Sequence, residues 1–514
     1  MCRLLGRKRR FHESIGRPRS RRRKNLYHAW DVFPQESQRQ YDRLTISGWC
    51  FHTDSEIESV ELRLEGRDYR FQQHLDRPDV AIAYPQFSSS RNSGIYLTLS
   101  LEEAGELDYL VSVRLASGGS IDLERGALRV EAIDEDAEQR SAPPRWGVNL
   151  IGHLESEKGV GEIARSDLRA LQEGGVPVVL NAFRDPQSSN REIPDASFSD
   201  ENPYAVNLVH VNPPVLPLLI ETKGLDYFRQ RYNIAHWFWE TRPFPRSQRF
   251  AFQYFDEIWA STSHIEEILA EVSPVPVTRI PPVVESPPQP GPWGRSHFGI
   301  PEDGFIFFFN FSLGGTLARK NPLGLIDAFR RAFSGREKVF LLLKVSHGEN
   351  YPDAYRELMA AIDGESSIIP CTRYLTRDEL GTLYSLVDCY VSLHRAEGLG
   401  LTLVEAMSHG LPVISTGYSG NMDFTKPEHT FLVDYRLAEL DRDCGPYRRG
   451  ARWAEPDLED AIETMRLVRR DHDLAKARGS QAGKWLCNEF SPARVGKVAK
   501  ERLETLRLLG KLPV

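Results

Sequence analysis

Alternating apolar and polar residues mark the first part of the chain. Apolar side chains occupy every second position over residues 60–64 and 109–115, which is the period of a strand with one buried face. Segment 117–120, Ser-Gly-Gly-Ser, leads into a further alternating run, and this pattern predicts a hairpin. Several short strands at such close spacing predict a β-sandwich-like domain over residues 26–140.

Strand and helix patterns alternate in the rest of the chain. The alternation occurs twice, over residues 145–288 and 293–490, and a proline-rich segment, 281–292, separates the two series. This arrangement predicts two doubly wound, Rossmann-like α/β domains facing a cleft across a hinge. Ligands bind such domains at the carboxyl ends of the strands. A Ser-Pro break precedes a predicted C-terminal helix in residues 491–514.

Length and charge narrow the class of protein. A chain of 514 residues with 40% hydrophobic and 27% charged residues is long enough for about three domains. The net charge of −7 excludes a global basic field for nucleic acid. Residues 1–25 are strongly basic and lack an apolar helical face, which predicts a disordered tail. That tail is either a contact for anionic membrane lipid or a dispensable solvated extension.

Cysteine usage and hydropathy indicate the compartment. The six cysteines have no short paired spacing, so neither a zinc site nor a dense disulfide framework is expected. No run approaches eighteen apolar residues, and the N-terminus lacks the apolar core of a secretory signal. We therefore expect a cytoplasmic protein, with peripheral contact at the inner face of the membrane if the basic tail binds lipid.

Two glutamates, Glu397 and Glu405, flank a glycine-rich turn and the start of a predicted helix. If that helix begins near residue 401, Glu405 lies about one turn inside it. The glycines let the backbone approach a ligand closely, and the N–H groups of the first turn suit a phosphate. The positions expected to bind such a ligand are Gly398, Gly400, Leu401 and Thr402.

Segment 397–421, EGLGLTLVEAMSHGLPVISTGYSGN, resembles the nucleotide-sugar site of the retaining family-4 glycosyltransferases, whose fold is called GT-B. The resemblance extends over about residues 146–510. It implies that Glu397 contacts the hydroxyls of the donor sugar and Glu405 the nucleotide ribose. It also implies that the turn at Ser419 and Gly420 closes the donor pocket.

Two cations precede a predicted helix at Asn321-Pro322. Cations beside a helix N-terminus would stabilise a departing diphosphate. In the family that the chain resembles, a lysine and an arginine hold the donor diphosphate, and Lys320 matches that lysine. The family's arginine often lies several residues earlier, where this chain has glycines, so Arg319 is the candidate substitute.

The first α/β series contains further candidates. Gly159 and Gly161 lie in a loop between a strand and a helix, and the resemblance implies that this loop faces the donor phosphates. His210 ends a strand and is a candidate for the donor-sugar histidine of the family, although a lone strand histidine is often structural. Trp239 and Glu240 are acceptor-site candidates, with core packing as the alternative for the aromatic side chain.

The resemblance implies transfer of a hexose, with retention, from a UDP- or GDP-linked sugar to a glycan or glycolipid acceptor in bacterial surface polysaccharide biosynthesis. No cofactor or essential metal is expected, because no Asp-x-Asp pair stands at a strand end. The alternative is a non-catalytic glycan-binding protein on a GT-B scaffold. Its N-terminal domain, which resembles an accessory β-module of bacterial glycosyltransferases, would bind sugar through Trp49, Tyr84 or Phe87.

Overall fold

A computed structural model of the chain describes residues 21–131, 144–185, 197–333 and 337–512, with short gaps in the first range at 24, 34–36, 40–42, 76, 78–79, 81–83 and 102. The chain divides into two compact units, residues 1–142 and 143–514. Most of the predicted disordered tail lies outside the described residues. Within that tail, Arg21–Arg23 form a strand paired with Leu26–His28.

The first unit consists of two five-stranded sheets, and all strand pairs are antiparallel except β3 with β10. Alternate residues from both sheets, among them Leu44, Leu97, Val60 and Val111, share one apolar core, as expected for a sandwich. The strands are β1 (Arg21–Arg23), β2 (Leu26–Val32), β3 (Ser37–Arg39), β4 (Arg43–His52), β5 (Ile57–Leu64), β6 (Arg67–Arg70), β7 (Gln72–Leu75), β8 (Gly94–Ser100), β9 (Gly105–Leu115) and β10 (Ser120–Glu131).

The first α/β domain contains a seven-stranded parallel sheet in the order β13-β12-β11-β14-β15-β16-β17. The order reverses next to β11, so the carboxyl ends of β11 and β14 form the topological switch point where ligands bind in such sheets. The elements are β11 (Arg145–Gly152), α1 (Gly159–Glu173), β12 (Val178–Asn181), β13 (Phe198–Ser199), β14 (Tyr204–His210), α2 (Leu216–Lys223), β15 (Tyr232–His236), β16 (Glu257–Ala260), α3 (Ser263–Ala270) and β17 (Val277–Arg279).

The second α/β domain repeats this plan with six parallel strands in the order β20-β19-β18-β21-β22-β23. Strand β18 is a nearly continuous apolar run because helices cover both faces of the sheet. The elements are β18 (Phe305–Ser312), α4 (Leu317–Lys320), α5 (Pro322–Ala332), β19 (Val339–Ser346), α6 (Pro352–Ile362), β20 (Ile368–Cys371), α7 (Arg377–Leu386), β21 (Cys389–Ser392), α8 (Leu401–Ser408), β22 (Val413–Thr416) and β23 (Phe431–Val433).

A hairpin and three helices complete the chain. The hairpin strands are β24 (Tyr435–Glu439) and β25 (Arg452–Pro456), and the helices are α9 (Leu458–Arg470), α10 (His472–Glu489) and α11 (Pro492–Leu508). Helix α11 returns to the first α/β domain, where Leu503 and Leu506 join the core that includes Leu168 on α1. Arg502 of α11 also forms a two-pronged ion pair with the buried Glu257, at 2.8 and 2.6 Å.

The predicted fold class is confirmed: two doubly wound domains follow an all-β domain. Within the described part of the chain, no helix combines the length and apolarity needed to cross a bilayer.

Candidate active site

The glycine-rich turn between the two motif glutamates positions a helix N-terminus. Helix α8 begins at Leu401, as expected, and Gly400 precedes it with a φ of 84°. Glycine adopts this left-handed conformation without the steric cost that a side chain would add. The N–H groups of Leu401 and Thr402 belong to the first turn and have no acceptor inside the helix. This end of α8 is therefore suited to an anionic ligand.

Both predicted cations converge on Glu397. Lys320 Nζ lies 2.5 Å from Glu397 Oε1, and Arg319 Nη1 lies 3.3 Å from Glu397 Oε2. The buried Arg319 is fixed further by hydrogen bonds from Nη1 to the Ala396 carbonyl at 2.7 Å and from Nε to the Gly315 carbonyl at 3.1 Å. The structure thus brings three predicted catalytic side chains together.

Burial and charge act against each other in this cluster. Burial alone would raise the pKa of Glu397, but the adjacent Lys320 and Arg319 lower that pKa to about 2. Burial lowers the pKa of Lys320, and the Glu397 carboxylate offsets part of that decrease. Glu397 is therefore ionised near neutral pH, and it serves as the counter-ion of the two cations in the absence of donor.

The predicted turn after β22 supports the Glu397 backbone. The Glu397 N–H donates to Ser419 Oγ at 2.8 Å, and the Gly420 N–H donates to the Glu397 carbonyl at 2.9 Å. Thr262, at the start of α3, donates its hydroxyl to the Gly398 carbonyl at 2.7 Å. Both α/β domains therefore contact the motif loop.

Glu405 faces two tyrosines, Tyr384 and Tyr390, which no sequence motif marked as candidates. The Tyr384 hydroxyl donates to Glu405 Oε2 at 2.9 Å, and the Tyr390 hydroxyl donates to Thr402 Oγ1 at 2.7 Å. Burial raises the pKa of Glu405 to about 7, although the hydrogen bond from Tyr384 favours the ionised form. Near neutral pH the Glu405 carboxyl is therefore only partly ionised, and the ionised form is the one in which both oxygens can accept hydrogen bonds from a ribose.

Gly159 and Gly161, which were predicted to lie in a loop, instead form the first turn of α1, and this end of α1 lies against the motif helix. A Cβ added at Gly159 would meet the Leu401 side chain at 3.2 Å, and a Cβ at Gly161 would lie 2.4 Å from the Ser156 carbonyl oxygen. Glu162, on the first turn of α1, pairs with Arg377 of the second domain at 2.8 Å. The N-terminal turn of α1 therefore meets the N-terminal ends of α7 and α8 across the cleft.

His210 is placed differently from the other candidates. Its side chain is fully buried, and its Nε2 lies 3.0 Å from Asp167 Oδ2. The same oxygen lies 2.8 Å from Nδ1 of His236. The other ring nitrogen of His236 is hydrogen-bonded to the Ser261 hydroxyl. Because the ring has no exposed surface, His210 does not present itself to a ligand in the cleft.

Asp167, His210 and His236 could together hold a metal ion. However, ligands about 2.0–2.1 Å from a tetrahedral ion are separated from one another by roughly 3.3 Å. The separations of 2.8 and 3.0 Å between the Asp167 oxygen and the two ring nitrogens are hydrogen-bond lengths instead. Asp167 and His236 therefore form a buried hydrogen bond that joins α1 to β15, and His210 packs beside the same carboxylate without hydrogen-bond geometry.

The two acceptor candidates have different environments. Trp239 is 6% exposed and packs against Tyr447, with ring centroids 5.5 Å apart. Glu240 is half-buried, accepts a hydrogen bond from the Tyr447 hydroxyl at 2.8 Å, and lies 3.7 Å from Arg319. Of these two residues, Glu240 is therefore the one that makes a polar contact with the catalytic cluster.

Comparison with known proteins gives a consistent result. Residues 297–439 match the family model described as Glycosyl transferases group 1, and this range contains Lys320, Glu397 and Glu405. A search of curated proteins found no match. The chain is similar in structure to Anabaena HepE in complex with UDP and glucose, at 14% identity over 70% of this chain and 100% of that one, with a TM-score of 0.52.

Two further solved structures show the same similarity. Sucrose-phosphate synthase from Thermosynechococcus elongatus is 15% identical over 71% of this chain and 100% of its own, and a glycosyltransferase from Rickettsia africae is 13% identical over 71% and 99%. Both have a TM-score of 0.52. These similarities establish the GT-B fold, and the matched segment indicates a glycosyltransferase group 1 domain.

Proposed function

We propose that this protein is a retaining, family-4-like glycosyltransferase that transfers a hexose from a nucleotide-diphosphate sugar to a glycan or glycolipid acceptor. The observation that carries the proposal is the convergence of Arg319 and Lys320 on Glu397 beside the N-terminus of α8. Bacterial surface polysaccharide biosynthesis in the cytoplasm is the proposed setting, with the basic residues 1–25 contacting anionic lipid. HepE holds UDP and glucose on the same fold, so UDP is the first nucleotide to test, before GDP.

The cluster of Arg319, Lys320 and Glu397 contains the positive charges that stabilise a departing diphosphate. Lys320 and Arg319 would stabilise the negative charge that develops as the glycosidic bond breaks, together with the first-turn N–H groups of α8. Glu397 would orient the sugar, and Glu405 would accept hydrogen bonds from the ribose hydroxyls. The acceptor hydroxyl would enter on the face of the leaving group and pass its proton to a diphosphate oxygen.

The remaining candidates fit this scheme unequally. Gly159 and Gly161 would face the donor phosphates from the first domain, and Glu240 would contact the acceptor. Trp239 contributes packing to that region. We assign His210 no step, because its ring is buried against Asp167.

The glycan-binding alternative loses its main support in the N-terminal domain. Trp49 and Tyr84 are 1% and 8% exposed and pack with Phe51 in a separate aromatic core, against which the partly buried Phe87 also packs. Side chains that are enclosed in this way have no free face on which a sugar ring could stack.

Nucleotide binding followed by donor turnover tests the proposal. A thermal-shift screen with UDP, GDP and ADP should show stabilisation by one series, about 2.7 kcal/mol at a hundred times the dissociation constant. Lys320→Ala and Glu397→Ala should then lower turnover of the matching sugar nucleotide by on the order of a hundredfold or more with an unchanged fold.

Lys338→Ala is the matched control, because Lys338 is an exposed lysine paired with Asp303. Full activity in Lys320→Ala, or an equal loss in the control, would contradict the proposal. The anomeric configuration of the product, read by NMR, tests retention.

A further inference from the structure

A second carboxylate, from the first α/β domain, competes for the catalytic arginine. Glu240 follows β15, and its Oε1 lies 3.7 Å from Arg319 Nη2. Glu397, from the second domain, lies closer to the same guanidinium, at 3.3 Å. Arg319 therefore has one acidic partner on each side of the cleft.

The loop of the β24–β25 hairpin, residues 440–451, holds Glu240 in this position. The Tyr447 hydroxyl donates to Glu240 Oε2 at 2.8 Å, while the Tyr447 ring lies 5.8 Å from the Arg319 guanidinium. Leu440 and Ala451 of the same loop belong to the apolar core of the first domain. The Arg452 N–H, at the end of the loop, donates to the Arg242 carbonyl at 2.9 Å.

The charges of this cluster balance without a ligand. Arg319 and Lys320 are matched by Glu397 and Glu240, and Arg319 is 4% exposed. A diphosphate that entered while both carboxylates remained in place would find no surplus positive charge, and like charges at short range in a desolvated site are strongly unfavourable.

The contact between Glu240 and Arg319 is the weaker of the two carboxylate contacts. Its separation of 3.7 Å exceeds a hydrogen-bond length, whereas Glu397 also has Lys320 at 2.5 Å. An incoming anion therefore displaces Glu240 from Arg319 at a lower free-energy cost than it would displace Glu397.

We propose that Glu240 is an internal counter-ion of Arg319 that the donor diphosphate displaces, and that its release frees the carboxylate to bind an acceptor hydroxyl. The donor then binds before the acceptor, because Glu240 becomes available only after a phosphate has taken its place at Arg319. This inference rests on the proposed function, since it requires a nucleotide diphosphate at this site.

The test is the effect of Glu240→Gln on nucleotide affinity. Glutamine keeps an oxygen that can accept the Tyr447 hydrogen bond but removes the charge. We expect the variant to bind UDP more tightly than the wild type, by about threefold to tenfold, and to bind UMP with a smaller change, because a competing anion has been removed from the diphosphate site. Tyr447→Phe, which releases Glu240 but keeps the ring, should change UDP affinity in the same direction.

Glu271→Gln is the control, because Glu271 also pairs with an arginine, Arg242, at 2.7 Å, and it should leave UDP affinity unchanged. Hydrolysis of the sugar nucleotide without acceptor should show a lower donor KM in Glu240→Gln than in the wild type. A merely structural role for Glu240 would weaken the binding of UDP and UMP alike.

The possible outcomes separate this inference from the function on which it rests. If the wild type binds no nucleotide diphosphate (UDP, GDP or ADP), the proposed function fails and the counter-ion role fails with it. If the wild type binds one of them and neither Glu240→Gln nor Tyr447→Phe binds it more tightly, only the counter-ion role is overturned.

Discussion

Nucleotide binding should depend on pH through Glu405. Burial raises the pKa of this carboxyl from 4.5 to about 7, and Tyr384, at 2.9 Å, is the hydrogen-bond donor that limits the increase. A ribose hydroxyl donates a stronger hydrogen bond to a carboxylate than to a neutral carboxyl, so the ionised form of Glu405 binds the donor more tightly. Donor affinity should therefore rise with pH through neutrality.

The magnitude follows from the fraction of Glu405 that is ionised. With a pKa of about 7, roughly one-tenth is ionised at pH 6 and roughly nine-tenths at pH 8, which gives a change of about tenfold in the dissociation constant. The stability of the free protein responds with the opposite sign. The contribution of Glu405 to folding is fully present below pH 4.5 and is lost as the pH rises through about 7.

Calorimetric titration with UDP, or with the nucleotide that the thermal-shift screen selects, at pH 6, 7 and 8 measures this dependence. Glu405→Gln should bind more weakly at pH 8, and it should lack the tenfold change. The nucleotide's own phosphate ionises near pH 6, but this contribution is common to both proteins and cancels in the comparison. Tyr384→Phe should move the midpoint of the profile to higher pH, because the hydrogen bond that favours the carboxylate is lost.

The same pH dependence in the wild type and Glu405→Gln would refute this reasoning. In that case the ribose would be bound without a titrating carboxylate at position 405.

Two further predictions concern stability. Gly161→Ala should lower the free energy of unfolding by about 1–3 kcal/mol and weaken nucleotide binding, because its Cβ would lie 2.4 Å from a backbone oxygen. The control in thermal melting is Gly294→Ala, where the added Cβ meets open space. Equal melting temperatures for the two variants would contradict the expected clash. Arg502→Ala should cost about 3–5 kcal/mol in denaturant unfolding, since it leaves the fully buried Glu257 without its cation. Lys497→Ala, which removes an exposed pair, should change stability by at most about 1 kcal/mol, and an equally small effect of Arg502→Ala would show that the pair does not anchor α11.

Local sequence patterns were enough to predict most of the order and type of the elements. Alternation over residues 60–64 predicted a one-sided strand, and β5 has that burial pattern. The apolar run at 305–312 has the composition of a strand, and β18 has those bounds. The start of α8 at Leu401 was readable because Gly400 supplies a conformation that other residues rarely adopt. These features depend on interactions between residues that are close in the chain, so they can be predicted from the order of the residues.

Only the tertiary structure decided which charges meet and which are desolvated. Lys320 and Glu397 are 77 residues apart in the chain, and Glu240 and Tyr447 are 207 apart. The raised pKa of Glu405 depends on burial created by the fold around it, with Tyr384 as its nearest hydrogen-bond donor. No local pattern records such contacts, because the strength of an electrostatic interaction depends on distance and on the exclusion of water, and both are set when remote segments pack together.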